Sequence, residues 1–312
     1  MERSAFYRRV LGTLAAARAP FLIGGALALA HHTGIRRATK DLDLMVRRSD
    51  WPLVARVLRR AGIRVRMTYP HWLGKALSDH ALVDIIFSGG SGQTPVDDRW
   101  FERSSTMRLL GVTVRVSPAE ELLWSKAFVM ERERFDGADI QHLILACGRR
   151  LDWRHLCARF RGHERVLLSH VVLFGYIFPG EAHRVPRWVM PYLFSRPVGA
   201  SLRRAKLCRG PLLSRAQYLV DLNARGYRDA RLPPFGTMTR RERLIWTKAI
   251  DEPAGGFMAT RSVSRSATAR EASRAPGKRH RRPPPSRRGA KHSDELVAKD
   301  KAVRERHRWP RG

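Results

Sequence analysis

Helical and strand-like periodicities alternate over the first 116 residues of this chain and strand periodicity then stops, which leaves few architectures open. Residues 3–18 carry apolar side chains at helical spacing. "FLI" (21–23) reads as a short strand, Gly24 and Gly25 as a turn, and "ALALAHH" (26–32) as the opening of a helix. "DLDLMV" (41–46) has the character of a strand. "DWPLVARVLRRAG" (50–62) predicts a helix with Asp50 at its N-cap and Gly62 near its C-terminus, and "IRVRMT" (63–68) and "ALVDIIF" (81–87) predict further strands. "TMRLLGVTVRVS" (106–117) reads as a hairpin.

Beyond Ser117 the pattern turns helical. "SPAEELLWSKAFVMERER" (117–134) begins with a capping box from Ser117 to Glu120 or Glu121 and carries Leu122, Leu123, Ala127 and Met130 on one face. "DGADIQHLILACG" (136–148) and "DWRHLCARFRGH" (152–163) each have an acidic start and a glycine stop, and "ERVLLSHVVLFGYIF" (164–178) is apolar enough for a buried helix. The expected fold class is α+β: a small mixed β-sheet core over 1–116, a helical domain with a basic extension over 117–252, and a disordered basic tail over 253–312. The tail is rich in Ser, Arg, Pro and Gly and has too few large apolar residues to offset its ordering entropy.

Charge narrows the partners. The 312 residues include 60 basic and 28 acidic side chains, a formal net charge of +32, and a field of that sign attracts nucleic acid, nucleotides or anionic membrane surfaces. Lysine accounts for only nine of the 60, so the arginine excess equally fits a genome's codon bias. The three cysteines, Cys147, Cys157 and Cys208, match neither a disulfide framework nor a zinc signature. No stretch reaches the roughly 20 apolar residues of a membrane span, and no signal-peptide core is present. The expectation is a cytoplasmic protein without a membrane partner.

Against this basic background, Asp41 and Asp43 stand one residue apart on a strand. Alternation points both the same way while Leu42 and Leu44 enter the core. Two carboxylates a pleat apart repel each other unless a cation sits between them, and Mg²⁺ is commonly held by one or two carboxylates together with substrate phosphates. A third, Asp84, lies within "LVDIIF" (82–87), where a lone charge is expensive. If the two strands are neighbours, the three aspartates make a two-metal site for in-line phosphoryl displacement. Gly24 and Gly25 before a helix supply backbone amides for an anion. Arg36, Arg37 and Lys40 flank the aspartates, where arginine forks could hold phosphate oxygens and a solvated loop is the plain alternative. His31 and His32 read as helix-end residues and not as metal ligands, and Trp72, Trp100, Trp124 and Trp153 read as core.

The stretch "IGGALALAHHTGIRRATKDLDLMV" (23–46) is similar to the signature of the nucleotidyltransferase (DNA polymerase β-like) superfamily, and with "GIRRATKDLDL" it looks most like the bacterial branch of AbiEii-type toxins. "SPAEELLWSKAFVMERERFDGADIQHLI" (117–144) resembles the helix pair that follows the catalytic sheet there, so the resemblance spans about residues 20–160. It implies that Gly24 and Gly25 contact the phosphates, that Asp41, Asp43 and Asp84 bind two Mg²⁺ ions, and that Asp84 orients or deprotonates the acceptor hydroxyl. Lys126 matches a helical lysine near the nucleotide, and Asp136 or Asp139 the acidic residues of the following helix, where stabilising the helix dipole is the competing role. The implied activity is transfer of a nucleoside monophosphate from an NTP to a hydroxyl of RNA, a tRNA end among the candidates, of a protein or of a small molecule. A toxin or defence role with an antitoxin partner comes with the same resemblance. The rival reading is a non-catalytic nucleic-acid-binding protein built on that scaffold.

Overall fold

The computed structural model describes residues 2–196 and 206–248. The tail expected over 253–312 lies outside the described residues. The first helix, α1 (Glu2–Ala16), buries Val10, Leu11 and Leu14 and leads into strand β1 (Leu22–Ile23). Helix α2 (Gly25–Thr33) follows, and β2 (Leu42–Met45) returns antiparallel to β1. Helix α3 (Trp51–Arg60), strands β3 (Arg64–Tyr69), β4 (Leu73–Leu77) and β5 (Leu82–Ile86), the short α4 (Asp98–Glu102) and the hairpin β6 (Ser105–Leu109) and β7 (Val112–Val116) complete the sheet region. The hairpin turns on Leu110 and Gly111, both at positive φ (50° and 83°). Such a two-residue turn matches the twist of the flanking strands.

The seven strands order as β3-β4-β5-β2-β1-β7-β6, with β2 parallel to β5, β1 parallel to β7 and the other neighbours antiparallel. The expected α+β class with a mixed sheet is therefore what the chain forms. Strand β4 was not expected. Its "LGKAL" contains a glycine and a lysine that weaken the strand pattern, yet Gly74 is required there because a Cβ would sit 2.3 Å from the Trp51 ring of α3.

Helices α5 (Ala119–Ala127), α6 (Gly137–Cys147), α7 (Trp153–Arg159), α8 (Glu164–Ile177) and α9 (Val189–Ser195) follow. One hydrophobic cluster runs from α1 through the sheet into these helices. Strands β8 (Leu207–Cys208) and β9 (Arg228–Asp229) pair separately, and a helix spans Arg240–Lys248. Among the described residues no helix is long and apolar enough to cross a membrane.

Four local expectations are corrected. Asp50 precedes α3 but makes no cap, because its carboxylate pairs with Arg47 at 2.5 Å. The capping box at Ser117 does not form. The Ser117 hydroxyl donates to Ile23 O (2.9 Å), Glu120 accepts from the Asp152 amide (2.8 Å), and the fully buried Glu121 accepts from His155 and Arg159. Tertiary partners outcompete the local cap, and α5 ends at Ala127, leaving Met130 in a loop that bridges to Phe135. Helix α8 buries Leu167, His170, Val171 and Phe174 but exposes Val172, Tyr176 and Ile177, so only one of its faces joins the core.

Candidate active site

Two parallel strands put the aspartates together. Asp43 of β2 and Asp84 of β5 are register partners, and Lys75 of β4 is the partner of Asp84 on its other side. Cross-strand partners share a face. Lys75, Asp84 and Asp43 therefore form a row, while Ala76, Val83, Ile85, Leu42 and Leu44 fill the core behind it. Asp41 immediately precedes β2, and its amide donates to Thr39 Oγ1 (3.3 Å) while its carbonyl accepts from the same hydroxyl (2.7 Å).

The glycines are fitted to this row. The Gly24 amide donates to Asp43 O (2.9 Å). Gly25 has φ +53°, and a Cβ there would lie 1.7 Å from Asp43 Oδ2. Only glycine lets α2 begin this close to a carboxylate. The first-turn amides of α2, which helix geometry leaves without backbone partners, open beside Asp43.

The row is short of positive charge. Burial pushes the Asp43 carboxyl up to about 6, and Asp84 and then Asp41 add to the rise while Lys126 and Arg134 oppose it. Burial also raises Asp84, against the pull of Lys75. Lys75 Nζ stands 2.9 Å from Asp84 Oδ1 and is its only charged partner among the described residues. Among the described residues no three His, Cys, Asp or Glu side chains converge as a ready-made metal cage.

The second cluster is cation-rich. Lys126, in the last turn of α5, is about nine-tenths buried and lies 2.9 Å from Asp136 Oδ2 and 2.7 Å from Asp139 Oδ2. Arg134 forks onto Asp136 (3.0 and 3.1 Å), and Arg37 pairs with Asp139. Burial works to raise Asp136, but Arg134 and Lys126 outweigh it and hold this carboxyl below its ordinary range. Lys126 and Arg134 are both near enough to pull on Asp43, so the two clusters belong to one electrostatic environment.

The expected residues divide accordingly. Asp43 and Asp84 are brought side by side, Gly24 and Gly25 pack on Asp43, and Lys126, Asp136, Asp139 and Arg37 form one ion-pair network. Asp136 and Asp139 serve that network and make no side-chain cap for α6. His31 Nε2 meets Ser105 Oγ (3.1 Å) and the His32 ring donates to Ser117 O (2.7 Å), so both are structural. Trp100, Trp124 and Trp153 are core, whereas Trp72 is half-buried and stacks on Tyr69 beside Trp246. Sequence reasoning missed Lys75 and Arg134. Their signals were a lysine inside the short apolar "LGKAL" and an arginine two residues before Asp136.

No family model matches this sequence, and no curated protein does. Solved structures do resemble it. The antibiotic-resistance factor ANT(2'')-Ia in solution is 19% identical, with 54% of this chain and 95% of that one covered and a TM-score of 0.37. The lincosamide antibiotic adenylyltransferase LnuA with lincomycin bound is 16% identical, covering 46% and 96%, with a TM-score of 0.33. A nucleotidyltransferase-like protein from Paracoccidioides brasiliensis is 14% identical, covering 58% and 92%, with a TM-score of 0.36.

Proposed function

We propose that this chain is a nucleotidyltransferase that moves a nucleoside monophosphate from an NTP to an acceptor hydroxyl and releases pyrophosphate. One observation carries the reading: Asp43 and Asp84 lie in register on one sheet face, under-neutralised, with Lys75 the only cation paired with Asp84 among the described residues, beside a cluster in which cations outnumber carboxylates. Carboxylates arranged this way suit a hard divalent cation, and surplus guanidinium suits phosphate. By donor chemistry the paired carboxylates of Asp43 and Asp84 suit Mg²⁺, and Asp41, just before β2 and not converged with them into a three-carboxylate cage, would join them, with two ions expected. When bound, Mg²⁺ would neutralise triphosphate charge and lower the acidity barrier of the acceptor hydroxyl.

The chain's own groups do the remaining work. The first-turn amides of α2 from Gly25 onward take phosphate oxygens, and Gly24 acts by holding the Asp43 backbone. Lys126, Arg37 and Arg134 carry the charge of the triphosphate. Asp84, whose carboxyl burial raises above its ordinary range, accepts the acceptor's proton as general base. The freed oxygen forms a bond to the α-phosphorus while the bond from that phosphorus to the bridging oxygen breaks, and pyrophosphate leaves with the electron pair. Lys75 orients Asp84 from the side away from Asp43. The chain's charge of +32 favours RNA over a protein or small-molecule acceptor, and a toxin or defence role with an antitoxin belongs to the same proposal.

The test is incubation of the full chain with each α-labelled NTP, Mg²⁺, total RNA and total protein, beside the Asp41→Ala, Asp43→Ala double variant. Label on RNA with the wild type alone is expected. Equal labelling by both proteins, or none by either, would sink the reading.

A further inference from the structure

A cavity of about 480 Å³ opens in the helical half, apart from the carboxylate row and from the Lys126 network. Its inner lining includes the buried Phe128 and Leu212 with the partly buried Leu213, and the Tyr218 ring, packed flat on Gly210, forms part of its wall. A Cβ on Gly210 would lie 2.1 Å from that ring, so the aromatic surface is held by close packing. The volume is in the range of small-molecule sites, roughly 300–1,000 Å³.

The polar groups of this cavity are one-sided. Arg165, Arg196 and Arg209 all line it, and among the described residues none has a carboxylate within ion-pair distance. Arg209 Nη1 donates to Gly162 O (2.7 Å), which fixes its guanidinium at the wall. Arg196 also lies over the Tyr192 ring, 4.2 Å from its centroid. The one acidic lining residue, Glu164, accepts from the amide of Gly162, which also lines the cavity (3.0 Å), so three guanidiniums face a single carboxylate there. Burial, with Arg209 adding, pushes the His163 imidazole down to about 4, so it is neutral at physiological pH. The ring stands edge-on to Phe128, 5.3 Å between centroids. Its nitrogens make no hydrogen bond to another described residue.

These features select a ligand. A cation is repelled by three guanidiniums that have no carboxylate partner among the described residues, and a neutral apolar molecule gains nothing from their charge. A flat ring system with one anionic group uses both: the ring packs on Phe128, Leu212 and Tyr218, and the anion takes an arginine fork. We propose that this cavity is a binding site for a small aromatic anion, a planar ring bearing a carboxylate, sulfonate or phosphate. The site is tied to the loop that carries Arg134, since the Met130 amide donates to Leu213 O (3.0 Å) and Glu131 accepts from Ser214 Oγ (2.5 Å) and the Arg215 amide (2.9 Å).

The probe is anilinonaphthalene sulfonate, titrated by fluorescence into the full chain, with the uncharged phenylnaphthylamine as its control. The wild type should bind the sulfonate saturably at one site and the neutral dye at least about tenfold more weakly. Replacing the two exposed arginines, Arg165→Ser with Arg196→Ser, should weaken the sulfonate by about tenfold or more and leave the neutral dye unchanged. A second variant, Leu213→Trp, fills the space without altering charge and should abolish the site. No saturable binding by the wild type, equal affinity for both dyes, or wild-type affinity in the arginine variant would each overturn the assignment.

Discussion

Two charged groups share the centre of this molecule, and they are neutralised in opposite ways. In the row across β4, β5 and β2, the carboxylates of Asp84 and Asp43 have one adjacent ammonium, Lys75, and Asp43 is pushed up to about 6. In the network behind it, Asp136 and Asp139 share Lys126, Arg134 and Arg37, and Asp136 is held low. The carboxylates of both groups are mostly buried, so burial alone does not separate them. The difference is partner count: the network sets three cations against two carboxylates, whereas the row sets one ammonium against two. A fold that leaves like charges desolvated and adjacent sacrifices stability there, a pattern found at sites where charge is used.

The comparison can be broken from either side. The largest effect is expected at the row: under the proposed activity, Asp84→Asn should lower nucleotidyl transfer by about 10²–10⁴-fold with the thermal unfolding transition retained, the scale for loss of a general base. Labelled transfer at saturating NTP, with a melting curve alongside, measures both. On the network side, Lys126→Met removes the cation shared by two buried carboxylates and should cost about 3 kcal/mol in urea unfolding, the scale for breaking a buried pair. An unchanged midpoint would show that Arg134 and Arg37 suffice.

The pH dependence sharpens the contrast. The Asp43 carboxyl is raised from 3.8 to about 6 on folding, so its protonated form is the one the fold favours. Its contribution is fully present below about 3.8 and is lost as pH rises through about 6, a loss of at most about 3 kcal/mol. The protein in chelator should therefore melt at lower temperature at pH 7.5 than at pH 5, over and above other titrations, and Asp43→Asn should flatten this difference. Added Mg²⁺ should restore the wild type at the higher pH and leave the variant almost unmoved. The smallest effect is the control. Arg64 and Asp79 form an exposed pair at 2.6 Å, and Arg64→Ala should change stability by no more than about 1 kcal/mol.

Much of the candidate site was legible because its residues violate their surroundings. Asp84 among Leu82, Val83, Ile85 and Ile86 and the pair Asp41 and Asp43 beside buried leucines are expensive unless partnered. Lys75 was equally anomalous but sat in a strand whose glycine obscured it. The cap expected at Ser117 failed for a related reason: Glu120 and Glu121 have local partners available, and the fold offers them His155, Arg159 and the Asp152 amide instead.

By itself the sequence determined the alternation of helix and strand and the faces of β2 and β5, since each follows from periodicity, whereas the need for glycine at the start of α2 comes from Asp43 packing against Gly25. Only the tertiary structure decided that Asp43 and Asp84 would be neighbours, that Lys75 would flank one of them, and that Lys126 would be shared by two aspartates. Strand order and register arise from contacts between segments distant along the chain, and a side chain's charge balance depends on those contacts rather than on its sequence neighbours.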